Sequence, residues 1–240
     1  MDKKQSEYEM RKISEGVFDK SSLMALYKLT SQGHFDEMTG IVSTGKEANV
    51  YHGLKGSEEV AIKIFAIETS DFRTMDRYLR GDRRFSAWKN KRQLIYSWAK
   101  KEYCNLNRAI ERIRCPRPIA VEKNVLVMGF IGKNGVPAPR VKELPPEDPQ
   151  KFQREIMGYI KDLYSLGIVH GDISEYNILN WDEEPYVIDF SMGVLLDHPL
   201  AEEMLVRDVK NVLAFFRKYG AKEEAGRTEN EIIEWIKKKE

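Results

Sequence analysis

Two aspartates and an asparagine occur late in the chain in an order that suits phosphoryl transfer. Asp172 lies in the run His-Gly-Asp-Ile-Ser-Glu-Tyr-Asn, five residues before Asn177, and Asp189 follows the next apolar run. In such a transfer one carboxylate orients the incoming hydroxyl and receives its proton, while an amide oxygen and a second carboxylate hold Mg²⁺ against the phosphates. Each residue alone would be an ordinary turn residue. The trio in this order predicts Asp172 as a catalytic residue and Asn177 and Asp189 as metal ligands.

A loop of small residues near the N-terminus could approach phosphates. The run Ser43–Val50 lies between two predicted strands, where exposed backbone N–H groups could bind phosphate oxygens. Gly45 alone matches the central glycine of a kinase glycine-rich loop. A hairpin turn that merely requires a glycine explains the same run equally well.

Lys63 is flanked by apolar residues on a predicted strand. Burying an unpaired ammonium is costly, so this position implies an acidic partner or an anionic ligand. The candidate partner is Glu102, on the apolar side of a long helix beside Trp98 and Leu106; Glu111, further along that helix, is the alternative. The alternative interpretation is that Lys63 lies on an edge strand and faces solvent.

The apolar run Val125–Ile131 precedes a segment rich in proline and glycine. In a two-lobed kinase this is the strand that would bind adenine. Met128 would then line the adenine pocket, and the Gly129 carbonyl and Ile131 amide would form hydrogen bonds with the base. A plain core strand is an equally good interpretation of the run.

The surrounding pattern divides the chain into a β-rich and a helical region. Turn-prone glycines separate short β-rich runs over residues 40–67, which predicts an antiparallel meander, and a long helix is predicted from Lys91 to Arg112. Residues 68–90 are polar and weakly periodic, which predicts a mobile or irregular surface insertion. A second helix is predicted from Gln150, with Asp148 as N-cap and Pro149 at the first helical position.

These regions predict an α+β fold with two lobes, an arrangement that resembles the protein-kinase fold. It would combine an N-lobe antiparallel sheet and long helix with a mostly helical C-lobe. The predicted domains are an N-terminal helical extension (1–39, with a helix from about Asp19 to Thr30), an N-lobe (40–131), a hinge or linker (132–149) and a C-lobe (150–240).

The composition suits a globular protein without a membrane span. Hydrophobic residues make up 42% and charged residues 32%, and the net charge is +1, so any nucleic-acid contact would need a local patch. Cys104 and Cys115 have no metal-site spacing and are expected to be reduced thiols. The polar stretch Met1–Arg11 is not a signal core, and no apolar run is long enough to cross a bilayer. A cytoplasmic location is therefore expected.

With these features in order, the chain resembles the RIO family of atypical serine protein kinases, in its type-1, archaeal-like branch. The resemblance rests on the runs Ser43–Tyr51 and His170–Leu179, on the insertion Asp71–Phe85, and on His198–Pro199 followed by Arg207–Asn211. It extends over residues 18–220.

The resemblance implies ATP with Mg²⁺ (or Mn²⁺) as cofactors. It also implies serine autophosphorylation, a role in maturation of the small ribosomal subunit, and an ATPase cycle that could pass through phosphorylated Asp189. Asp172 and Lys63 would be the catalytic residues and Asn177 and Asp189 the metal ligands. The implied nucleotide-binding residues are Ser43, Gly45, Lys46, Glu47, Ala48, Val50, Lys63, Glu102, Met128, Gly129, Ile131 and Glu175.

The chain departs from ordinary protein kinases after Asp189. Ser191 replaces the glycine of Asp-Phe-Gly, no Ala-Pro-Glu element follows, and the next predicted helix begins too soon for an activation segment. Two alternatives stay open: a small-molecule kinase of the aminoglycoside or choline type, which Gly171 allows, and a non-catalytic ribosome assembly factor switched by nucleotide.

The expected partner is a precursor of the small ribosomal subunit, with the protein itself expected to be a monomer. A basic patch in and next to the insertion at residues 68–90 is the candidate for contact with ribosomal RNA. The patch comprises Arg73, Arg77, Arg80, Arg83, Arg84, Lys89, Lys91 and Arg92.

The insertion also offers Ser70 and Ser86 as candidate autophosphorylation sites.

Overall fold

A five-stranded antiparallel sheet organises the N-terminal half of the chain. The computed structural model describes residues 18–68, 70–85, 88–222 and 228–238. Its strands are β1 (Glu37–Thr44), β2 (Ala48–Lys55), β3 (Glu58–Phe65), β4 (Pro118–Glu122) and β5 (Val125–Gly129). They lie in the order β1-β2-β3-β5-β4, so the predicted meander is confirmed.

The chain forms two compact units, and each carries part of the predicted site. Among the described residues, the first unit holds those up to 75, with 88–103 and 117–137. The second holds 76–85, 104–116 and those from 138 onward. The helices are α1 (Lys20–Ser31), α2 (Phe72–Arg80), α3 (Lys91–Ala109), α4 (Pro149–Ser165), α5 (Ala201–Arg217) and α6 (Glu229–Lys237).

The sheet of the first unit has a distinct core face. Side chains alternate between the two faces of a strand, and Val60, Ile62 and Ile64 of β3 lie in one hydrophobic cluster with Leu26 and Leu29 of α1. The intervening positions of β3, including Lys63, therefore point to the other face. The alternation that builds the core thus determines where the lysine lies.

The start of α1 is fixed by a side-chain cap. Asp19 accepts a hydrogen bond from the Ser21 amide at 2.8 Å, which confirms the predicted N-cap. The buried Asn124 amide donates to Ser22 Oγ at 2.7 Å and to the Phe65 carbonyl at 2.9 Å. These bonds fasten the helix to the end of β3. Residues 1–17 of the predicted extension lie outside the described residues.

The insertion before the long helix contains a regular element. The prediction of an irregular segment is wrong for α2 (Phe72–Arg80), whose Met75, Tyr78 and Leu79 are buried. Arginines fill most of its exposed face and the helix is short, so the apolar stripe has few members and the surrounding sequence looks polar. The long helix α3 ends at Ala109, three residues before the predicted Arg112.

The second unit is built on helices with small two-stranded sheets. Asp148 caps α4 by accepting a hydrogen bond from the Lys151 amide at 2.9 Å, and Pro149 begins the helix as predicted. Cys104 and Cys115 are both free, and burial raises the pKa of Cys115 to about 12. Its small sheets are two strand pairs, β8 (Ile168–Val169) with β11 (Val194–Leu195) and β9 (Ile178–Trp181) with β10 (Glu184–Val187). The hairpin of β6 (Gly132–Lys133) and β7 (Val136–Pro137) belongs to the first unit.

The segment after Asp189 is short. Only residues 190–200, which include β11, separate Asp189 from the start of α5 at Ala201. This confirms that the chain has no room for an ordinary activation segment. Within the described part of the chain, no helix has both the length and the apolar character needed to cross a bilayer.

Candidate functional site

A buried ion pair lies on the non-core face of the first unit's sheet. Lys63 Nζ lies 2.9 Å from Glu102 Oε1 and 2.8 Å from Oε2, so it donates to both carboxylate oxygens. Lys63 is 6% exposed and Glu102 0% exposed. The structure thus pairs Lys63 with the predicted partner Glu102 rather than with Glu111. A buried charge is tolerated when it is paired and hydrogen-bonded, as here.

The small-residue loop connects β1 to β2 in the same sheet. Thr44, Gly45 and Lys46 are exposed, and the Gly45 amide donates to Asn49 Oδ1 at 3.3 Å. Val50 of this run lies opposite Lys63 in the β2–β3 register, and Ser43 lies opposite Val50 in β1–β2. The candidate phosphate loop therefore begins beside the candidate phosphate lysine.

Ser70 supports this loop instead of being exposed. It is 5% exposed, and its hydroxyl donates to the Ala66 carbonyl and, at 3.4 Å, to the Glu47 carbonyl. The Ala66 amide also donates to Glu47, at 2.8 Å. The mobility on which Ser70 is a candidate autophosphorylation site is therefore not observed, and a buried, bonded hydroxyl is poorly accessible to a phosphoryl donor. The other candidate, Ser86, lies outside the described residues.

The predicted adenine strand is β5 and the residues after it. Met128 is buried and pairs with Ala61 of β3, while Gly129 ends the strand and its amide donates to the Arg117 carbonyl at 2.8 Å. Ile131 follows the end of β5 and is half-buried. Both the core-strand interpretation and the adenine interpretation are compatible with these positions.

The β9–β10 hairpin brings Asn177 next to Asp189 in the second unit. Asn177 directly precedes β9, Asp189 follows β10, and the paired strands place Ile178 opposite Val187. The Ile188 amide donates to the Asn177 carbonyl at 2.9 Å, which joins the two ends. Asp189 has a φ of 62°, in the left-handed region that few residues other than glycine adopt.

Asp172 lies in the same group and is electrostatically coupled to it. Asn177 Nδ2 donates to Asp172 Oδ2 at 2.7 Å and to the Asp172 carbonyl at 2.9 Å. Burial raises the pKa of Asp172, and the nearby Asp189 charge adds to this; Arg207 and Asn177 oppose it. Glu175, in the same loop, is half-buried, and its carbonyl accepts from the Lys142 amide at 3.3 Å.

The ring of His170 links the backbone at Asp172 to the backbone just before Asp189. Nε2 lies 3.1 Å from the Ile188 carbonyl, and the Asp172 amide donates to Nδ1 at 3.3 Å. Since Nδ1 accepts, Nε2 must carry the proton that the carbonyl accepts. The ring also packs edge-on against the Phe190 ring, with 4.5 Å between the two ring centres.

Helix α5 fixes the backbone of the Asp172 loop, a role that the sequence alone does not indicate. Asp208 is buried and accepts from the Gly171 amide at 2.7 Å and the Ile173 amide at 2.9 Å. Arg207 donates to the Gly171 carbonyl, and Asn211 donates to the Ile173 carbonyl at 3.1 Å. The run Arg207–Asn211 contributes to the resemblance, but its pattern does not indicate this role, since its partners are backbone groups far away in sequence.

The oxygen donors in this group suit a hard divalent cation. Asp189 offers a carboxylate, and Asn177 offers an amide oxygen because its NH₂ group already donates to Asp172. Such donors are typical of Mg²⁺ or Mn²⁺ sites. The pKa of Asp172 is raised first by burial and then by the Asp189 charge, and a cation would relieve the repulsion between these two carboxylates.

Comparison with known proteins identifies the family. The family model described as the RIO domain matches residues 49–229. The chain belongs to the RIO family. The RIO-type serine/threonine-protein kinase Rio1 of Methanocaldococcus jannaschii is 44% identical over 220 residues, which cover 91% of this chain and 76% of that protein. Rio1 of Haloferax volcanii is 46% identical over 213 residues, covering 88% and 73%. By family this RIO chain is an atypical serine/threonine kinase of the type-1 branch.

More distant comparisons agree with this placement. Human serine/threonine-protein kinase RIO1 is 37% identical over 234 residues, covering 94% of this chain but only 41% of the human protein. The crystal structure of the Rio2 kinase–ADP/Mg²⁺–phosphoaspartate complex from Chaetomium thermophilum has a TM-score of 0.70 at 22% identity, covering 91% of this chain and 67% of that one. This likeness confirms the predicted α+β kinase-like fold of the RIO chain.

Proposed function

We propose that this RIO chain transfers the γ-phosphoryl group of ATP, as a serine kinase that autophosphorylates and as an ATPase. The observation that carries the proposal is the group Asp172–Asn177–Asp189, which combines a base with a raised pKa and hard oxygen donors. Family membership supports it, since curated relatives are named serine/threonine-protein kinases. The same match favours a protein kinase over a small-molecule kinase.

In the proposed reaction Asp172 receives the proton of the attacking hydroxyl. Its raised pKa, caused first by burial, makes it a stronger base than an ordinary aspartate. Asn177 orients it through the bond to Oδ2, and His170 and Asp208 hold the backbone on which it is carried. A bound Mg²⁺ (or Mn²⁺) would neutralise phosphate charge, with Asn177 and Asp189 as its protein ligands.

In the first unit, we assign the phosphates to Lys63 and the β1–β2 loop. Glu102 fixes the Lys63 ammonium through both carboxylate oxygens, so the lysine needs no reorganisation when an anion arrives. We assign adenine to Met128, Gly129 and Ile131. The remaining proposed nucleotide contacts are Ser43, Gly45, Lys46, Glu47, Ala48, Val50 and Glu175.

The direct test uses γ-labelled ATP with purified protein. Labelled protein or released phosphate should appear only with Mg²⁺ or Mn²⁺. Asp189→Asn should remove metal-dependent turnover, whereas Asp182→Asn, an exposed aspartate in the β9–β10 turn, should turn over like the wild type. Absence of both labelled protein and released phosphate in the wild type would refute the proposal.

The acceptor of the phosphoryl group defines a second question. A short segment after Asp189 leaves no ordinary peptide-docking platform, and the named Rio2 structure contains a phosphoaspartate. We propose that Asp189 carries a phosphoryl group transiently during an ATPase cycle. The phosphoryl mass added by ATP should then disappear upon hydroxylamine treatment, which displaces the phosphate and leaves the hydroxamate of Asp189. A mass increase that resists hydroxylamine would indicate phosphoserine instead.

We further propose that the RIO chain acts in the cytoplasm as a monomer on precursors of the small ribosomal subunit. The basic face of α2, where Arg73, Arg77 and Arg80 are exposed, supports contact with ribosomal RNA. Arg84 does not belong to this face, because a buried carboxylate holds it. Affinity for ribosomal RNA should fall steeply with salt and weaken in the triple glutamine variant of α2. If maturation proceeds normally in cells that carry only Asp172→Ala, the chain is a nucleotide-switched assembly factor instead.

The proposed lobes follow the domain division made from sequence. We take residues 40–131 as the nucleotide-binding lobe and 150–240 as the catalytic and metal-binding lobe, joined by 132–149. Separate expression of the two lobes, with ATP-analogue binding to the first alone, would test this division.

A further inference from the structure

A buried asparagine on α3 holds the backbone that follows Asp189. Asn105 is 0% exposed, and its Nδ2 donates to the carbonyl oxygens of Phe190 at 2.9 Å and Gly193 at 2.8 Å. A Cβ atom on residue 193 would lie 2.9 Å from that nitrogen, so the glycine makes the approach feasible. These bonds fix both ends of the turn at 190–193, directly after the proposed metal ligand.

The orientation of this amide is set by Arg84, in the segment after α2. Arg84 Nη1 donates to Asn105 Oδ1 at 2.9 Å. A guanidinium can only donate and a backbone carbonyl can only accept, so one orientation of the amide satisfies both sides. The reversed amide would place its NH₂ against the guanidinium and its oxygen against two carbonyl oxygens. Arg84 therefore determines that Asn105 donates to the turn.

Arg84 is itself held by a buried carboxylate. Its Nε lies 2.9 Å and 3.1 Å from the two oxygens of Asp82, and its Nη2 donates at 2.6 Å. The Arg84 side chain is 17% exposed and the Asp82 side chain 0% exposed. Charge-assisted, two-point pairing of this kind is stiff and directional. The neighbouring Gly81 lies so close to the His198 ring that a Cβ would meet it at 2.3 Å.

Asp189 needs such support because of its backbone. Its φ of 62° is uncommon for a residue with a side chain and persists only where the surroundings determine it. On the N-terminal side, the Ile188 amide is bonded to Asn177. On the C-terminal side, the bonds from Asn105 perform the same task. The direction of the Asp189 carboxylate thus depends on both attachments.

We propose that Arg84 and Asn105 are positioning residues that set the affinity of Asp189 for its divalent cation; the inference rests on the proposed metal-dependent function. Both act through the backbone of the 190–193 turn. Groups that orient a metal ligand in this way change metal affinity by about 10- to 100-fold when removed. Arg84→Met should therefore weaken cation binding about tenfold.

Mn²⁺ binding to the full chain, measured by the electron paramagnetic resonance signal of free Mn²⁺ with ADP present, tests the inference. The Mn²⁺ dissociation constant should rise about tenfold in Arg84→Met and in Asn105→Leu. The double variant should be no weaker than the stronger single effect, because both remove one chain of bonds. Arg112→Met is the matched control, since the Arg112 side chain forms an exposed pair with Asp162 at 3.8 Å. Its Mn²⁺ affinity should equal that of the wild type.

Further readouts separate this role from general damage. Binding of ADP in EDTA should be unchanged in Arg84→Met, and Arg84→Lys, which keeps a cationic donor, should recover part of the Mn²⁺ affinity. Wild-type affinity for Mn²⁺ in a folded Arg84→Met protein would overturn the inference, as would an equal loss in Arg112→Met. If the wild type itself binds no Mn²⁺, the proposed metal site fails, a result distinct from equal binding by both proteins.

Discussion

Replacement of Lys63 by methionine should destabilise the fold of the first unit through its partner. The change leaves Glu102, which is 0% exposed, without the ammonium that donates to both of its oxygens. Removing one member of a buried ion pair costs about 3–5 kcal/mol, because the remaining charge has no compensation. For a chain of 240 residues, a loss of this size corresponds to a melting temperature about 10 °C lower.

The double variant Lys63→Met, Glu102→Leu separates structure from function. Replacing both charges by apolar side chains of similar size removes the penalty, so the melting temperature should return to within about 3 °C of the wild type. Phosphoryl transfer should stay lost, since the ammonium assigned to the phosphates is absent. Thermal unfolding followed by circular dichroism, together with γ-phosphate release, measures both quantities.

Two results would refute this reasoning. A single Lys63→Met variant as stable as the wild type would show that the pair is not buried in solution. A double variant less stable than either single variant would show that the two losses add and that no coupling exists. Arg117→Met is the matched control, because its pair with Glu58 at 3.3 Å is exposed on both sides and should change stability by less than about 1 kcal/mol.

Three further perturbations test other parts of the account. Burial raises the pKa of Asp208 to about 7 from 3.8, so the folded state binds this proton more tightly than the unfolded state does. The free energy of unfolding should therefore fall by about 1.4 kcal/mol per pH unit as the pH rises from the lower to the higher of these two pKa values. Asp208→Asn should flatten this slope in urea unfolding, and an unchanged slope would contradict the assignment. At Gly171 the φ is 77° and a new Cβ would overlap Met204. Gly171→Ala should therefore cost about 2–5 kcal/mol, since a positive φ and a steric overlap both oppose the change. Gly220→Ala, where φ is 84° and no atom lies near the new Cβ, should cost only about 1–2 kcal/mol. Equal melting temperatures of the two variants would contradict the predicted overlap at Gly171. Ser70→Ala should lower stability by about 1 kcal/mol in the same assay and leave autophosphorylation intact, while loss of the phosphorylated residue in this variant would show that Ser70 is the acceptor.

The sequence predicted elements whose signals are local. The cap at Asp148 with Pro149 determines the start of α4, and glycine spacing determines the meander. Lys63 and Glu102 could be paired because a lysine among apolar neighbours requires an acid, and only a few acids lie on the apolar side of a helix. In these cases the physical requirement is visible within a few residues of the chain.

Features that depend on distant backbone partners could not be predicted. Asp208 accepts from amides of a loop 35 and 37 residues away, and nothing in its own neighbourhood indicates this. Asn105 donates to carbonyls 85 and 88 residues away. Helix α2 is not apparent from the sequence because its three buried apolar residues are matched by three exposed arginines, which makes the segment polar as a whole. The burial of Ser70 could not be predicted either, since a polar stretch does not show which hydroxyl is buried.

The rate of γ-phosphate loss from ATP in Asp172→Asn, compared with the wild type at saturating Mg²⁺, tests the central claim most directly. The variant keeps the size of the side chain and removes only the base. We predict a rate reduced by about 10²- to 10⁴-fold with ADP affinity unchanged. A rate equal to that of the wild type in a folded protein would contradict the assignment of Asp172 to the transfer step.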